Sequence, residues 1–137
     1  YCLAISDKES IKKLFIPYNR FESSGNRAQF NTDENIATKV AERPIIHFEG
    51  SIGVSIDELC FKHNLPIPNY IKIDIDGNEL DVLKGATKIL KASELKSILI
   101  ETGPLPSKEY DLSKHILENH GFINEYKGNV NEIYSRK

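Results

Sequence analysis

Asp74, Asp76 and Glu79 fall within IKIDIDGNELDVLKGA, residues 71–86, where an apolar run meets a Gly-Asn turn. Carboxylates at that spacing can serve three ends. They can hold a hard cation, cap the helix that follows, or face a small-molecule crevice from a strand end. The cation reading follows from Asp-x-Asp-Gly, which also occurs inside calcium loops; aligning Gly77 with the loop glycine puts Lys72 first and Leu83 last, so the acidic end ligands are missing. No metal is expected there. In the capping reading, Asp76 or Asn78 accepts backbone N–H groups and Glu79 favours the positive end of the helix. In the crevice reading, Asp74 is held against a ligand, with Lys72 on the same strand face as its partner; desolvating an unpaired carboxylate costs several kcal/mol, about 2–7 even for a neutral polar group, so such placement signals a partner. Asp74, Glu79 and Glu101 are therefore all admissible as bases. The last of them closes the apolar run SILIE.

Other chemistry finds less support. His47 lies in an apolar strand, and His115 and His120 are five positions apart, missing the one-turn spacing of a helical metal pair. Neither Gly-x-Ser-x-Gly nor Gly-x-x-x-x-Gly-Lys occurs. Cys60 falls on the apolar side of a short helix, the place of a structural thiol.

The elements that would position these carboxylates alternate. YCLAI and IKKLFIPY read as strands about the Ser6-Asp7 turn, and Asn19 to Asn35 reads as a long loop. RPIIHFEG and SIGVS read as strand pieces divided by Gly50 and Gly53. Ser55 and Glu58 form a capping box for the helix IDELCFKHN. Pro66 and Pro68 keep the chain extended into a strand from Tyr70 to Ile75, with Ile71, Ile73 and Ile75 on one face. A helix with Leu80, Leu83 and Leu90 follows, weakened at Gly85. LKSILIE is a strand, SKEYDLSKHILENHG a helix closed by Gly121, and FINEYKGNVNEIYSR a hairpin. This alternation predicts an α/β fold with a mainly parallel sheet and an antiparallel C-terminal hairpin. In such sheets ligands sit beyond the carboxyl ends of the strands, where Asp74, Asp76 and Glu101 lie.

Length and charge narrow the partners. The 137 residues suffice for a single domain, and a formal charge of -2 offers no basic field for nucleic acid or anionic lipid. No apolar run reaches the ~18 residues that span a bilayer, so no membrane is expected. Cys2 and Cys60 form no Cys-x-x-Cys, which points to reduced thiols and a cytoplasmic protein. There is no methionine in the sequence, and YCLAISD at its start reads as the interior of a fold, hence as part of a longer one.

These residues resemble a known family. SIDELC, followed by PNYIKIDIDGNELDVLKGATKILKASELKSILIE, is similar to the carboxyl-terminal half of the FkbM methyltransferases, whose hallmark is K-I-D-[VI]-[ED]-G-x-E-x-x-V-L-x-G-A. That hallmark is preceded by an L/I-D-[ED]-L helix and followed by a strand ending in Glu. AISDKES also resembles the family's A-L/I-S-D-x-x-G strand end, with Ser10 where glycine is common. The similarity spans nearly the whole chain and is most specific over Ile71 to Ala86. It implies a partial Rossmann-like methyltransferase sheet that binds S-adenosylmethionine and passes its methyl group to a hydroxyl oxygen of a sugar or secondary metabolite. Carried over by position, Ser6 and Asp7 would approach the adenine, Asp74 would lie near the methyl group and acceptor, Glu79 would fix the turn, and Glu101 would face the pocket. The family's glycine-rich first turn, V-D-V-G-A-N-x-G or similar, and its acidic second-strand end are absent. Residues 1–137 are thus expected to be one domain, the C-terminal part of the methyltransferase fold without its first strands.

The competing expectation is a noncatalytic α/β module, or an inactive remnant, that binds a partner through the same crevice. An exposed sheet edge would then also allow a homo-oligomer. The loop from Tyr18 to Asn35 is expected to cover part of the acceptor site.

Overall fold

A computed structural model describes residues 1–17, 29–31, 45–75, 77–102 and 107–137. They form two four-stranded sheets. In the first, β1 (Ala4–Ile5) runs parallel to β4 (Ile45–Val54), which is antiparallel to β2 (Ser10–Pro17); β2 in turn is antiparallel to β3 (Gln29–Asn31). In the second, β5 (Tyr70–Ile73) runs parallel to β6 (Ser97–Glu101), β6 is antiparallel to β8 (Asn131–Ser135), and β8 to β7 (Ile123–Lys127). The helices are α1 (Ile56–Phe61), α2 (Glu79–Lys84) and α3 (Lys108–Asn119), with a 3-10 turn at Ile89–Lys91.

The α/β class is as expected, but the sheets are mixed and mostly antiparallel rather than mainly parallel. Parallel pairing needs a crossover between the two strands. The chain makes that crossover through α2, from β5 to β6, whereas β7 and β8 return as a hairpin and β8 docks antiparallel on β6. Helix–strand alternation shows how many crossovers exist, not which strands end as neighbours.

Three local expectations change as well. The two pieces around Gly50 and Gly53 are one continuous strand, because both glycines keep ladder partners, Lys13 for Gly50 and Ser10 for Gly53. Gln29–Asn31, expected within a long loop, pairs with Lys13 to Phe15; the remainder of 18–35 lies outside the described residues, as does the cover expected over the acceptor site. The strand expected to reach Ile75 ends at Ile73.

The helix expected from Leu80 to Leu90 is divided at Gly85, for a reason visible in the hydrogen bonds. Gly85 is the C-cap of α2, and its carbonyl accepts the N–H of Asp57 at 3.1 Å. The Asp57 carboxylate in turn accepts the N–H groups of Lys88 and Ile89 at 2.9 Å each, and the Thr87 hydroxyl at 3.1 Å. Donors and acceptor that would have continued the helix are taken by α1. The capping box on α1 forms as read, with Glu58 N–H donating to Ser55 Oγ at 3.1 Å and Ser55 N–H to Glu58 Oε2 at 2.8 Å.

Behind this junction sits the core. Leu83, Ile89, Leu90, Leu95, Ile98 and Leu117 are each 1% exposed or less and belong to one cluster. Strand alternation delivers Ile98 and Ile100 from β6 and Tyr134 from β8 to it, while Ser97, Leu99 and Glu101 face the other way and stay half-buried. Arg136 secures the C-terminal side by donating to the carbonyls of Ala92 and His120, with its guanidinium 4.6 Å from the Phe122 ring centroid.

A Cβ at position 85 would lie 2.4 Å from the Ser6 carbonyl oxygen and 2.8 Å from Ser55 Cβ, whereas one at position 50 would meet nothing within 4 Å. Gly85→Ala is therefore expected to lower stability by about 1–3 kcal/mol. Gly50→Ala should be neutral or stabilising by about 0.4–1 kcal/mol, through the unfolded chain. Urea unfolding of the two variants, compared at equal m-value, checks the opposite signs.

Candidate active site

Register brings the acidic strand ends together. Ile73 pairs with Ile100 in the parallel β5–β6 ladder, so the residues immediately after them, Asp74 and Glu101, sit side by side at the carboxyl end of the sheet. Lys72 Nζ lies 2.7 Å from Asp74 Oδ2, and the two side chains are 66% and 43% exposed. Alternation along β5 explains why they meet: residues 72 and 74 lie on the face opposite Ile71 and Ile73.

This arrangement decides the charge state of Asp74. The hydrogen bond from Lys72 and, second, one from Glu101 hold its carboxyl below the ordinary aspartate range, outweighing the small opposing effect of burial. The cation at 2.7 Å is the main reason the charged form of Asp74 is favoured. Lys72 shifts in the complementary direction: the hydrogen bond and charge of Asp74 raise it. A base whose pKa is raised by burial is not what these surroundings produce. They produce a stable carboxylate open to solvent on one side.

Gly77, with φ at +116°, takes a conformation that a side chain would resist. It shapes the turn beyond Asp74. Its N–H donates to Glu79 Oε1 at 2.9 Å, so the Glu79 side chain reaches back across the turn rather than out from it. Asn78 occupies the N-cap position of α2 without a side-chain capping bond. Asp76 lies outside the described residues.

Ser6 and Asp7 belong to the first sheet. Ser6 is buried; its N–H donates to the Val54 carbonyl at 2.9 Å and its hydroxyl to Asp7 Oδ1 at 3.2 Å. With its carbonyl facing Gly85, Ser6 is used by the chain itself. Asp7, half-buried, is the member of the pair with a side chain to offer a ligand.

The residues set aside earlier occupy ordinary places. His47 and His115 are exposed, and His120 Nδ1 lies 2.8 Å from the Ile116 carbonyl. Cys60 is buried, with its thiol pushed up by desolvation and then by the charge of Asp57. Among the described residues no group of three His, Cys, Asp or Glu is placed to hold a metal ion, and no helix is long and apolar enough to cross a membrane.

Sequence reading missed a second polar cluster at the same end of the sheet. Glu132 is 1% exposed; its carboxylate accepts from Tyr110 Oη at 2.9 Å, Asn124 Nδ2 at 2.8 Å and Tyr134 Oη at 2.7 Å, and pairs with Lys127 Nζ at 3.4 Å. Burial pushes this carboxyl up, but the bonds from Tyr134, Tyr110 and Lys127 together hold it below the glutamate range. The strand NEIYS could turn either Ile133 or the Glu132–Tyr134 pair inward, and only the register with Ile98 and Ile100 selects the polar pair.

Comparison with known proteins gives these positions a context. A model of the methyltransferase FkbM domain matches residues 3–127. Hexuronic acid methyltransferase AglP of Haloferax volcanii is 37% identical over 73 residues, a stretch covering 51% of this chain and 29% of the relative. No solved structure matches.

Asp74 should titrate below the ordinary aspartate value, and Lys72→Met, which keeps the length but removes the charge, should move its midpoint upward. Carbon-detected NMR of the Asp74 carboxyl across acid pH reads both; an unchanged midpoint in the variant would refute the pairing.

Proposed function

Because this chain belongs to the FkbM family of methyltransferases, we propose that it contributes the acceptor side of a site that moves a methyl group from S-adenosylmethionine to a hydroxyl oxygen of a sugar or secondary metabolite. The supporting observation is the Lys72–Asp74–Glu101 group at the adjoining ends of the parallel strands β5 and β6. The name of the Haloferax relative, which refers to a hexuronic acid, favours a sugar-like acceptor. Free Cys2 and Cys60 suit the reducing cytoplasm, where we place the reaction.

Asp7 suits contact with the cofactor's adenine, and Ser6 supports it through the shared hydrogen bond. S-adenosylmethionine, when bound, supplies an electrophilic methyl group on a sulfonium. The described residues do the rest: they hold the acceptor in line and take its proton. As the new C–O bond forms, the hydroxyl oxygen becomes positive and its proton far more acidic than in the free alcohol. A carboxylate of low pKa is then a sufficient base, provided the proton leaves with bond formation rather than before it. Asp74 is such a carboxylate, and Glu101 and Lys72 keep it ionised and oriented. Glu79 acts at one remove, by holding the Gly77 turn.

Isothermal titration of the full-length protein with S-adenosylhomocysteine should give heat, and Asp7→Ala should weaken binding by about tenfold, the worth of one hydrogen bond to a charged group. A flat titration with the full-length protein would overturn the reading. In turnover assays over a panel of hydroxylated acceptors, Asp74→Asn should lower kcat by about 10²–10⁴-fold with KM little changed. The acid limb of wild-type activity should lie below the ordinary aspartate range and move upward in Lys72→Met, because the depressed pKa keeps the base ionised until the pH falls through it.

A further inference from the structure

The carboxyl end of the second sheet continues past Asp74 and Glu101. Glu101 pairs with Asn131 in the antiparallel β6–β8 ladder, so the two side chains share a face, with Cβ atoms about 5 Å apart. Asn131 is half-buried. Its carbonyl accepts the Gly128 N–H at 2.8 Å, but its side-chain amide makes no hydrogen bond among the described residues. An amide carries two N–H donors and an acceptor oxygen. Here they stand unused beside two carboxylates, at the height where a ligand's hydroxyl groups would lie.

Tyr126 extends this line. It pairs with Ile133, which puts it on the same face as Leu99, Glu101 and Asn131, and it is 56% exposed. Its ring leans along the strand toward Gly128: a Cβ at position 128 would come within 3.1 Å of both Cε1 and Oη of Tyr126. The glycine leaves the ring room to lie there. Because Gly128 is also hydrogen-bonded to Asn131, the aromatic ring ends up at the same sheet end as the unused amide.

Nothing from α2 or α3 obstructs this strip. Leu83 of α2 and Leu117 of α3 pack with Ile98, Ile100 and Tyr134 on the opposite face. The strip crosses the strands in the order β5, β6, β8, β7. With strands about 4.8 Å apart, Asp74 and Asn131 are two spacings apart, on the order of 10 Å, and Asp74 and Tyr126 three, about 14 Å. The first span suits one sugar ring bonded at both edges. The second is longer than one ring can cover.

Resting on the reading of this sheet end as the acceptor site, we infer that the acceptor carries at least two linked sugar rings, the methylated ring lying between Asp74 and Asn131 and the next ring stacked on Tyr126. A sugar is polar at its edge and apolar on the faces formed by its C–H bonds, and the strip offers both complements. The Asn131 amide donates to one hydroxyl oxygen and accepts from the neighbouring hydroxyl, which fixes the rotation of the ring while Asp74 faces the reacting oxygen. The C–H face of the second ring covers Tyr126, whose hydroxyl bonds at that ring's edge. Both residues determine specificity, and neither takes the proton.

The test uses the full-length protein titrated with glucose and galactose and with cellobiose, maltose and lactose, binding being followed by NMR chemical shifts. At least one disaccharide should bind about tenfold more tightly than either monosaccharide. Tyr126→Ala, at an exposed position, should abolish that preference, while Tyr126→Phe should retain most of it. Asn131→Ala should weaken monosaccharides and disaccharides alike by about threefold to tenfold. Its urea midpoint should stay close to wild type, since the amide bonds to none of the described residues. A panel in which no disaccharide is preferred, a preference that survives Tyr126→Ala, or sugar affinities indifferent to Asn131→Ala overturns the inference. Titration with S-adenosylhomocysteine separates the two levels: heat with no disaccharide preference defeats only the roles of Tyr126 and Asn131, and a disaccharide preference without heat upholds them while defeating the cofactor reading.

Discussion

Most of the architecture depends on the close approach of backbone at Gly85. There α2 ends against the Ser6 carbonyl at the end of β1 and against Ser55 at the start of α1, so the first sheet, the short helix after β4 and the helix after β5 meet at one point. A side chain there would separate them. The Asp57 carboxylate completes the junction by taking the N–H groups that a continuous helix would have used. The Ile-Asp-Glu-Leu helix and the Gly-Ala pair, two prominent parts of the family resemblance, thus serve the frame. Glu58 caps, Asp57 holds the turn after Gly85, and Ala86 is buried in the core.

With that frame set, the acidic strand ends require little further machinery. The parallel register places Asp74 beside Glu101, strand alternation places Lys72 with them, and a positive-φ glycine turns the chain away so that Glu79 can bind back. The outcome is a carboxylate stabilised in its charged form near the surface, the opposite of a buried base. The proposed transfer to a hydroxyl would tolerate this, because forming the C–O bond is itself what acidifies the departing proton. The demands on the site fall on alignment, which strands supply better than loops.

The second sheet also shows how a small fold accommodates a buried charge. Glu132 is surrounded by donors from α3, β7 and β8, so its removal would leave two tyrosine hydroxyls and an asparagine amide seeking partners. Tyr134 bears the reciprocal effect, its phenol pushed well up first by burial and then by its hydrogen bond to Glu132. Networks of this kind are stable only when complete, and this one is complete among the described residues, where no buried side-chain polar atom lacks a partner.

Local chemistry made much of the chain legible in its sequence: the capping box at Ser55 and Glu58, the strand through Ile71 and Ile73, the glycine after α3, and the terminal hairpin all rest on contacts within a few residues. The same holds for the pairing of Lys72 with Asp74, which strand alternation alone implies. Tertiary structure decided what depends on distant neighbours. The sheets are mixed because β8 docks on β6; the predicted long helix divides because Asp57, some thirty positions earlier, takes its N–H groups; Glu132 faces inward because Ile98 and Ile100 fix its register. Ser6 reads as a ligand group, yet packing buries it against Gly85 and turns its hydroxyl to Asp7. Periodicity reports which residues share a face, while only packing determines what that face meets.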